Sequence, residues 1–443
     1  MKRSITSSLY KWKTDSNRKP LILRGARQVG KTYILQSFGE SAFPRYHYFN
    51  FEQDETLQNI FQNDLNPSRI INELQFHLDT NIDLKHDLVI FDEIQNSPRA
   101  LTSLKYFYEK MPELALCTAG SLLGVILSNE PFPVGKITFL DLYPMNFEEF
   151  LNALGKDLLI NLLNERSFST LLPETAHNKL WELWKTYLIV GGLPEVVKIY
   201  RDQMDDPFTA LNSVRNCQQD LIETYIADIA KNSGKTNAMH IERIWRNVPT
   251  QLARTVDGSG SKFRFKNAIP GIRGFERLVT PITWLEKARL IIRTSIVNRP
   301  NSPLMGFAKE NRFKQYFFDT GLLSAISHLS PKIISDYTFG TYKGYIAENF
   351  VAQEILSAGI RNLYCWEGRT SEVEFLLETR NGIIPLEVKS GHIVQSKSLK
   401  VYEEKYAPAQ SYVLSGNNIM LKGSRYYFPI YLAGWLIKDV LSK

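Results

Sequence analysis

The sequence predicts an α/β protein in three parts: a parallel sheet flanked by helices with a helical lid, a winged-helix-like middle, and a second, smaller α/β unit. Three observations predict it. Short apolar runs alternate with helix-length stretches up to Phe139, apolar residues then recur at helical spacing, and the last third returns to strand patterns. The chain has 443 residues, 44% of them hydrophobic and 22% charged, enough for two or three cores of ordinary composition.

In chain order, Pro20 to Leu23 reads as a strand that runs into a glycine-bounded loop, and the chain becomes helical through Tyr33 to Phe38. Further strands are expected at Tyr46 to Phe51, Leu88 to Phe91 and Leu114 to Thr118, the alternation of a parallel sheet with helices on its faces. After Phe139 the segments NFEEFLNALG, LWELWKTYLIV and Pro207 to Lys231 carry helical spacing. Between Met239 and Val297 short helices end in one bearing Trp284 and Leu285, followed by a β-branched strand around Ile291 and Ile292, the order of a winged helix. A helix from Tyr342 to Ala358 and strands at Glu372 to Leu377 and Ile383 to Val388 complete the reading. Domains are expected at 1–200, 201–335 and 336–443.

Charge and cysteine content narrow the function classes. A net charge of +7 on so long a chain is compatible with an acidic partner such as DNA and equally with a solvated basic surface. Cys117, Cys217 and Cys365 are far apart and form no metal or disulfide pattern. The basic amino terminus has no apolar signal core, and no uncharged apolar run is long enough for a membrane span. A reducing cytoplasm is the expected compartment, with no membrane partner.

Gly25-Ala26-Arg27-Gln28-Val29-Gly30-Lys31-Thr32 fits GxxxxGK[ST], directly after a strand and opening a helix. In such a P-loop, or Walker A motif, the backbone of Gly25, Arg27, Gln28, Val29 and Gly30 wraps phosphate, Lys31 reaches the β- and γ-phosphates, and Thr32 ligands magnesium. A second apolar strand in LVIFDEIQ delivers Asp92 and Glu93 at its carboxyl end, as a Walker B segment does: Asp92 for magnesium, Glu93 to polarise the attacking water. Thr118 or Ser121, after a third strand, is placed to sense the γ-phosphate, although hydroxyls and glycine also simply make turns. The expected ligands are ATP and Mg2+, and the expected activity is ATP hydrolysis.

YKWKTDSNRKPLILRGARQVGKT, LVIFDEIQ, TAGSLLGV, LYPMNFEEFL and YLIVGGLPEVV together resemble the AAA-like P-loop ATPases of bacteria and archaea that are fused to an uncharacterised carboxy-terminal domain. The resemblance covers nearly the whole chain. It implies a sensor at Ser121 and a fixed structural role for Gly191-Gly192-Leu193-Pro194-Glu195. Family members usually carry Gly-Arg before the LYP segment, where this chain has Gly135-Lys136, which keeps the charge but not the planar fork.

In the last third, strand alternation puts Glu374 on the face opposite Val373, Phe375 and Leu377, and Glu387 and Lys389 opposite Ile384, Leu386 and Val388. A turn at Arg380-Asn381-Gly382 would pair the two strands, and Glu348 falls in the apolar stripe of the preceding helix, where an acid needs a partner. Glu348, Glu374, Glu387 and Lys389 form a candidate nuclease site with a second divalent metal. Their order resembles the restriction-endonuclease-like PD-(D/E)xK fold, with Glu374 where Asp is usual; the alternative is an inert fold with a salt-bridged Glu387–Lys389 face.

Arg243, Arg246, Arg254, Lys262, Arg264, Lys266 and Arg273 among Trp245, Phe263 and Phe265 offer a second contact for nucleic acid, or a protein-protein connector. The Asp-Thr-Gly of Phe317 to Leu323 echoes an aspartic protease motif without supporting that chemistry. Two functions are therefore expected to compete: an ATPase switch or motor whose carboxy-terminal domain binds nucleic acid, with cutting left open, and a nucleotide-gated scaffold of the STAND type that is read by protein partners and whose nuclease-like fold is inert. Arg99 is the only candidate arginine finger, and the oligomeric state is open.

Overall fold

The computed structural model describes residues 1–121, 132–165, 170–253, 262–392 and 395–442. They separate into two compact units, Met1–Tyr143 and Pro144–Lys443.

The first unit is a five-stranded, all-parallel sheet of β1 (Leu21–Arg24), β2 (Tyr46–Asn50), β3 (Leu88–Asp92), β4 (Ala115–Gly120) and β5 (Thr138–Asp141), in the order β2-β3-β4-β1-β5. β5 was not among the expected strands. It has four half-buried residues at the sheet edge, too few for an alternation to show. β3 is buried throughout, and Phe49, Phe51, Phe61 and Phe107 surround Phe91 and one another with ring centroids 5.6–6.3 Å apart. Each fully buried ring contributes roughly 1.5–3 kcal/mol, so the strand that ends in Asp92 is anchored by its own core. The flanking helices start on local signals: Asn66 accepts from Ser68 N ahead of Pro67, and Ser97 accepts from Ala100 N ahead of Pro98.

The second unit opens with helices that include Glu174–Val190, Pro207–Ser233 and Lys235–Ala253, and continues into a mixed eight-stranded sheet. Its strands are β6 (Ile291–Val297), β7 (Ala308–Phe317), β8 (Leu363–Glu367), β9 (Glu372–Thr379), β10 (Gly382–Val388), β11 (Ser411–Ser415), β12 (Met420–Lys422) and β13 (Arg425–Pro429), in the order β12-β13-β11-β10-β9-β8-β6-β7. The expected hairpin is present: β9 and β10 pair antiparallel through Arg380-Asn381, with Gly382 at φ +119°. The strand expected in the winged helix, β6, pairs antiparallel with β7 but parallel with β8, and so belongs to this larger sheet. Among the described residues no helix is long and apolar enough to cross a membrane.

Candidate functional site

The loop between β1 and the helix Lys31–Ala42 is shaped by backbone geometry that the glycines permit. Gly30 sits at φ +91° as the residue before that helix, and Gln28 also takes positive φ, at +61°. Gly25 has no room for a side chain, because an added Cβ would lie 2.3 Å from Leu142 O. Arg3 fastens the loop from behind, donating 2.9 Å to Val29 O and 2.6 Å to Tyr143 O. Lys31 Nζ donates to the carbonyls of Gly25 and Ala26 at 3.1 and 2.7 Å.

Across the sheet, Thr32 Oγ1 donates 2.6 Å to Asp92 Oδ2. The strand order explains how they meet: β4 lies between β1 and β3, so one intervening strand separates the P-loop from the acid pair. Ser121 follows that middle strand, at the end of the sheet where Arg24 pairs with Gly120 and the P-loop begins. Ser121 Oγ and Thr118 Oγ1 are buried and have no hydrogen-bond partner among the described residues. Thr118 lies within β4 beside Ile22 and Phe91, whereas Ser121, at the end of the sheet where the P-loop begins, is placed for a polar ligand that is not protein.

Glu93 holds a left-handed conformation, φ +49° and ψ +40°, which is uncommon for a residue with a side chain and clusters at functional positions. Its carboxylate accepts from Gln95 Nε2. Burial raises its pKa, against the lowering influence of Gln95 and Lys31. A carboxylate poised this way is suited to take a proton from water. Asp92 accepts from Thr32, from Glu93 N at 2.9 Å and from Tyr48 Oη at 2.8 Å. Thr32 and Asp92 thus form an oxygen donor pair of the kind magnesium takes with a nucleotide.

Two basic candidates lie elsewhere. Lys136 precedes Thr138, which pairs with Leu21 at the far end of the sheet from the P-loop, and it faces Glu109 at 3.6 Å. Arg99 is tied to its own neighbourhood through Phe61 O and Asn63 O, at 2.6 and 2.9 Å.

In the second unit the carboxylates do converge. Glu374 accepts from Val388 N at 3.1 Å, and Glu387 Oε1 pairs with Lys389 Nζ at 2.6 Å. Burial, then the charge of Glu387, raises the Glu374 pKa. Glu348 accepts from Tyr316 Oη at 2.8 Å. Lys314, which the pattern of the sequence did not single out, lies 1% exposed between Glu348, at 3.6 Å, and Glu372, with which it forms an ion pair. Burial alone would lower its pKa, but Glu348 and the neighbouring acids outweigh that and raise it. Among the described residues no group of three His, Cys, Asp or Glu is set to hold a metal ion. The expected second metal therefore finds no ligand group among the described residues.

Other expected elements fall as follows. Arg243, Arg246, Lys262, Arg264, Lys266 and Arg273 are exposed, and Arg254 lies outside the described residues. Trp245 and Phe263 are core residues at 0% and 4% exposure, since their rings pack on Phe317 and Phe313. The Gly191-Gly192 turn and the Asp-Thr-Gly segment turn out to be partners. Asp319 Oδ2 accepts from Gly192 N at 2.7 Å and its Oδ1 from Leu322 N at 2.9 Å, while an added Cβ on Gly191 would lie 2.3 Å from that Oδ1. Neither motif announced the other, because the contact spans 127 residues of sequence.

The parallel sheet, the loop after β1 and the acid pair after β3 define a P-loop NTPase fold. Residues 17–151 match the family described as AAA domain, so the chain carries an AAA-type P-loop ATPase domain. Residues 181–333 and 343–432 match two domains of unknown function, DUF8612 and DUF4143. No curated protein matches the chain. Similar solved structures include a Walker-type ATPase of Pyrococcus abyssi, 16% identical with a TM-score of 0.46, covering 74% of this chain and 95% of that one. The Aeropyrum pernix ORC1 protein in complex with DNA is 13% identical with a TM-score of 0.31, covering 73% and 90%. A STAND protein with a tetratricopeptide repeat sensor from Pyrococcus horikoshii is 13% identical with a TM-score of 0.27, covering 81% and 46%. Scores this low say nothing about what the chain binds.

Proposed function

We propose that the protein is a magnesium-dependent ATPase that works as a nucleotide-gated switch, with its second unit serving recognition rather than cutting. The observation that carries the ATPase reading is the Thr32–Asp92 hydrogen bond, which joins the residue after Lys31 to the acid that ends β3. Thr32 and Asp92 would hold magnesium, which when bound neutralises charge on the phosphates. Lys31 binds the β- and γ-phosphates. Glu93 accepts a proton from water as that water attacks the γ-phosphorus, and the bond to the β-phosphate oxygen breaks to release ADP. Ser121 donates to the γ-phosphate and so distinguishes ATP from ADP, which is what a switch requires.

The ion pairs of Glu387 with Lys389 and of Glu372 with Lys314 in the second unit favour recognition over cleavage. The exposed cations between Arg243 and Arg273 favour a second reading, in which DNA is the ligand recognised. Phosphate release with Mg2+ should be measured with and without single-stranded, duplex and branched DNA, together with a gel assay of the same DNA for cutting. Turnover indifferent to DNA supports a switch read by protein partners, and turnover raised by DNA supports the second reading. Cutting that is lost in Lys389→Ala would overturn the inert-domain reading. Absence of both nucleotide binding and turnover would overturn the ATPase itself.

A further inference from the structure

Tyr48 and Asn50 share one face of β2, opposite the buried Phe49, and β2 runs parallel to β3 with Asn50 beside Asp92. Asn50 Oδ1 accepts from Glu52 N at 2.8 Å and from Gln53 N at 3.1 Å, which fixes the orientation of its amide. Its Nδ2 therefore points the other way and donates 3.1 Å to Tyr48 Oη. With a donor already on its oxygen, Tyr48 directs its single proton onward, 2.8 Å to Asp92 Oδ2.

We propose that Tyr48 is a positioning residue: it holds the Asp92 carboxylate in the orientation in which Asp92 and Thr32 together accept a divalent cation. The inference rests on the ATPase reading above. Thr32 and Tyr48 donate to Oδ2 of Asp92 and Glu93 N to Oδ1, and of these only Tyr48 belongs to neither the P-loop nor the acid pair. A hydrogen bond from the neighbouring strand stops the carboxylate from turning when Thr32 engages the metal. A phenol ordinarily keeps its proton at physiological pH, so Tyr48 remains a donor there.

The test compares wild type with Tyr48→Phe, which keeps the ring and removes the donor. Mn2+ binding in the presence of a non-hydrolysable ATP analogue, followed by electron paramagnetic resonance, should weaken about tenfold, the effect of losing one hydrogen bond to a charged group. The Mg2+ concentration for half-maximal turnover should rise by a similar factor, more than kcat falls, while affinity for the nucleotide measured in EDTA stays the same. A merely structural role would lower the melting temperature and move all three readings together. Equal Mn2+ affinity in the two proteins overturns the role of Tyr48 alone. Failure of the wild type to bind Mn2+ with the nucleotide overturns the ATPase reading, and this proposal with it.

Discussion

Thr32 and Asp92 stand 60 residues apart in sequence and 2.6 Å apart in space, Oγ1 to Oδ2. Each reaches this end of the sheet for its own reason: Thr32 lies in the first turn of the helix that follows Gly30, and Asp92 ends β3, which is buried to its last residue. Their contact joins the phosphate loop to the hydrolytic acid, and it gives each residue near it a separable role.

Lys31 and Glu93 should separate binding from chemistry. Lys31→Ala removes the one ammonium placed on the loop and is expected to abolish ATP binding in a titration. Glu93→Gln keeps the shape and removes the base, so ATP should still bind while turnover falls by about 10² or more. Full turnover in Glu93→Gln would assign the base elsewhere.

Gly25 should be intolerant of a single methyl group. In Gly25→Ala the new carbon would meet a backbone oxygen, Leu142 O, at 2.3 Å, and overpacking of this kind costs about 1–3 kcal/mol. The loop must shift to relieve it, so ATP affinity should fall at least about tenfold as the melting temperature drops. Gly135→Ala is the control. It has positive φ but open space, at the far end of the sheet, and should cost about 1 kcal/mol of stability with ATP affinity intact.

These roles were unevenly legible in the sequence. Strands β1 to β4 and the P-loop could be read because local pattern and chemistry coincide there: apolar runs end in the residues that do the work. Tyr48 left a signal, a Tyr-x-Asn at the end of a strand, but its meaning depends on β2 lying next to β3, which no local pattern states. Lys314 left none, since a lysine within β7 reads as solvent-facing until β6 to β9 assemble into one sheet. Trp245 and Phe263 were misleading in the opposite sense, because aromatics among arginines suggest a nucleic-acid face and here fill a core.

Lys314 should matter for stability. Its ammonium is buried beside Glu348 and Glu372, and Lys314→Met would leave those carboxylates without their cation at nearly unchanged volume. Breaking a buried pair from one side costs about 3–5 kcal/mol, so chemical denaturation should show a loss of that order. A variant as stable as wild type would mean that Tyr316 and solvent satisfy the acids without the lysine.

Glu354 should make stability depend on pH in the alkaline direction. It is 1% exposed, its Oε1 accepts from Phe147 N at 2.9 Å, and an added Cβ on Gly434 would lie 2.3 Å from its Oε2, so the carboxyl is tightly enclosed. Burial pushes its pKa up from 4.5 to about 8, with Glu149 and Glu148 adding to the rise and Lys438 and the Phe147 N–H opposing it. A raised value means that the folded protein keeps a proton the unfolded chain releases. The resulting stability is fully present below about pH 4.5 and is lost as pH climbs through about 8. Within that window the loss approaches about 1.4 kcal/mol per pH unit. Glu354→Gln retains an acceptor for Phe147 N and cannot ionise, so its unfolding free energy should fall less steeply than that of wild type between about pH 5 and 7.5, where the difference in slope is largest. Parallel curves for the two proteins over that interval would mean that Glu354 is already ionised in the folded state, with Lys438 and the backbone donor outweighing its burial.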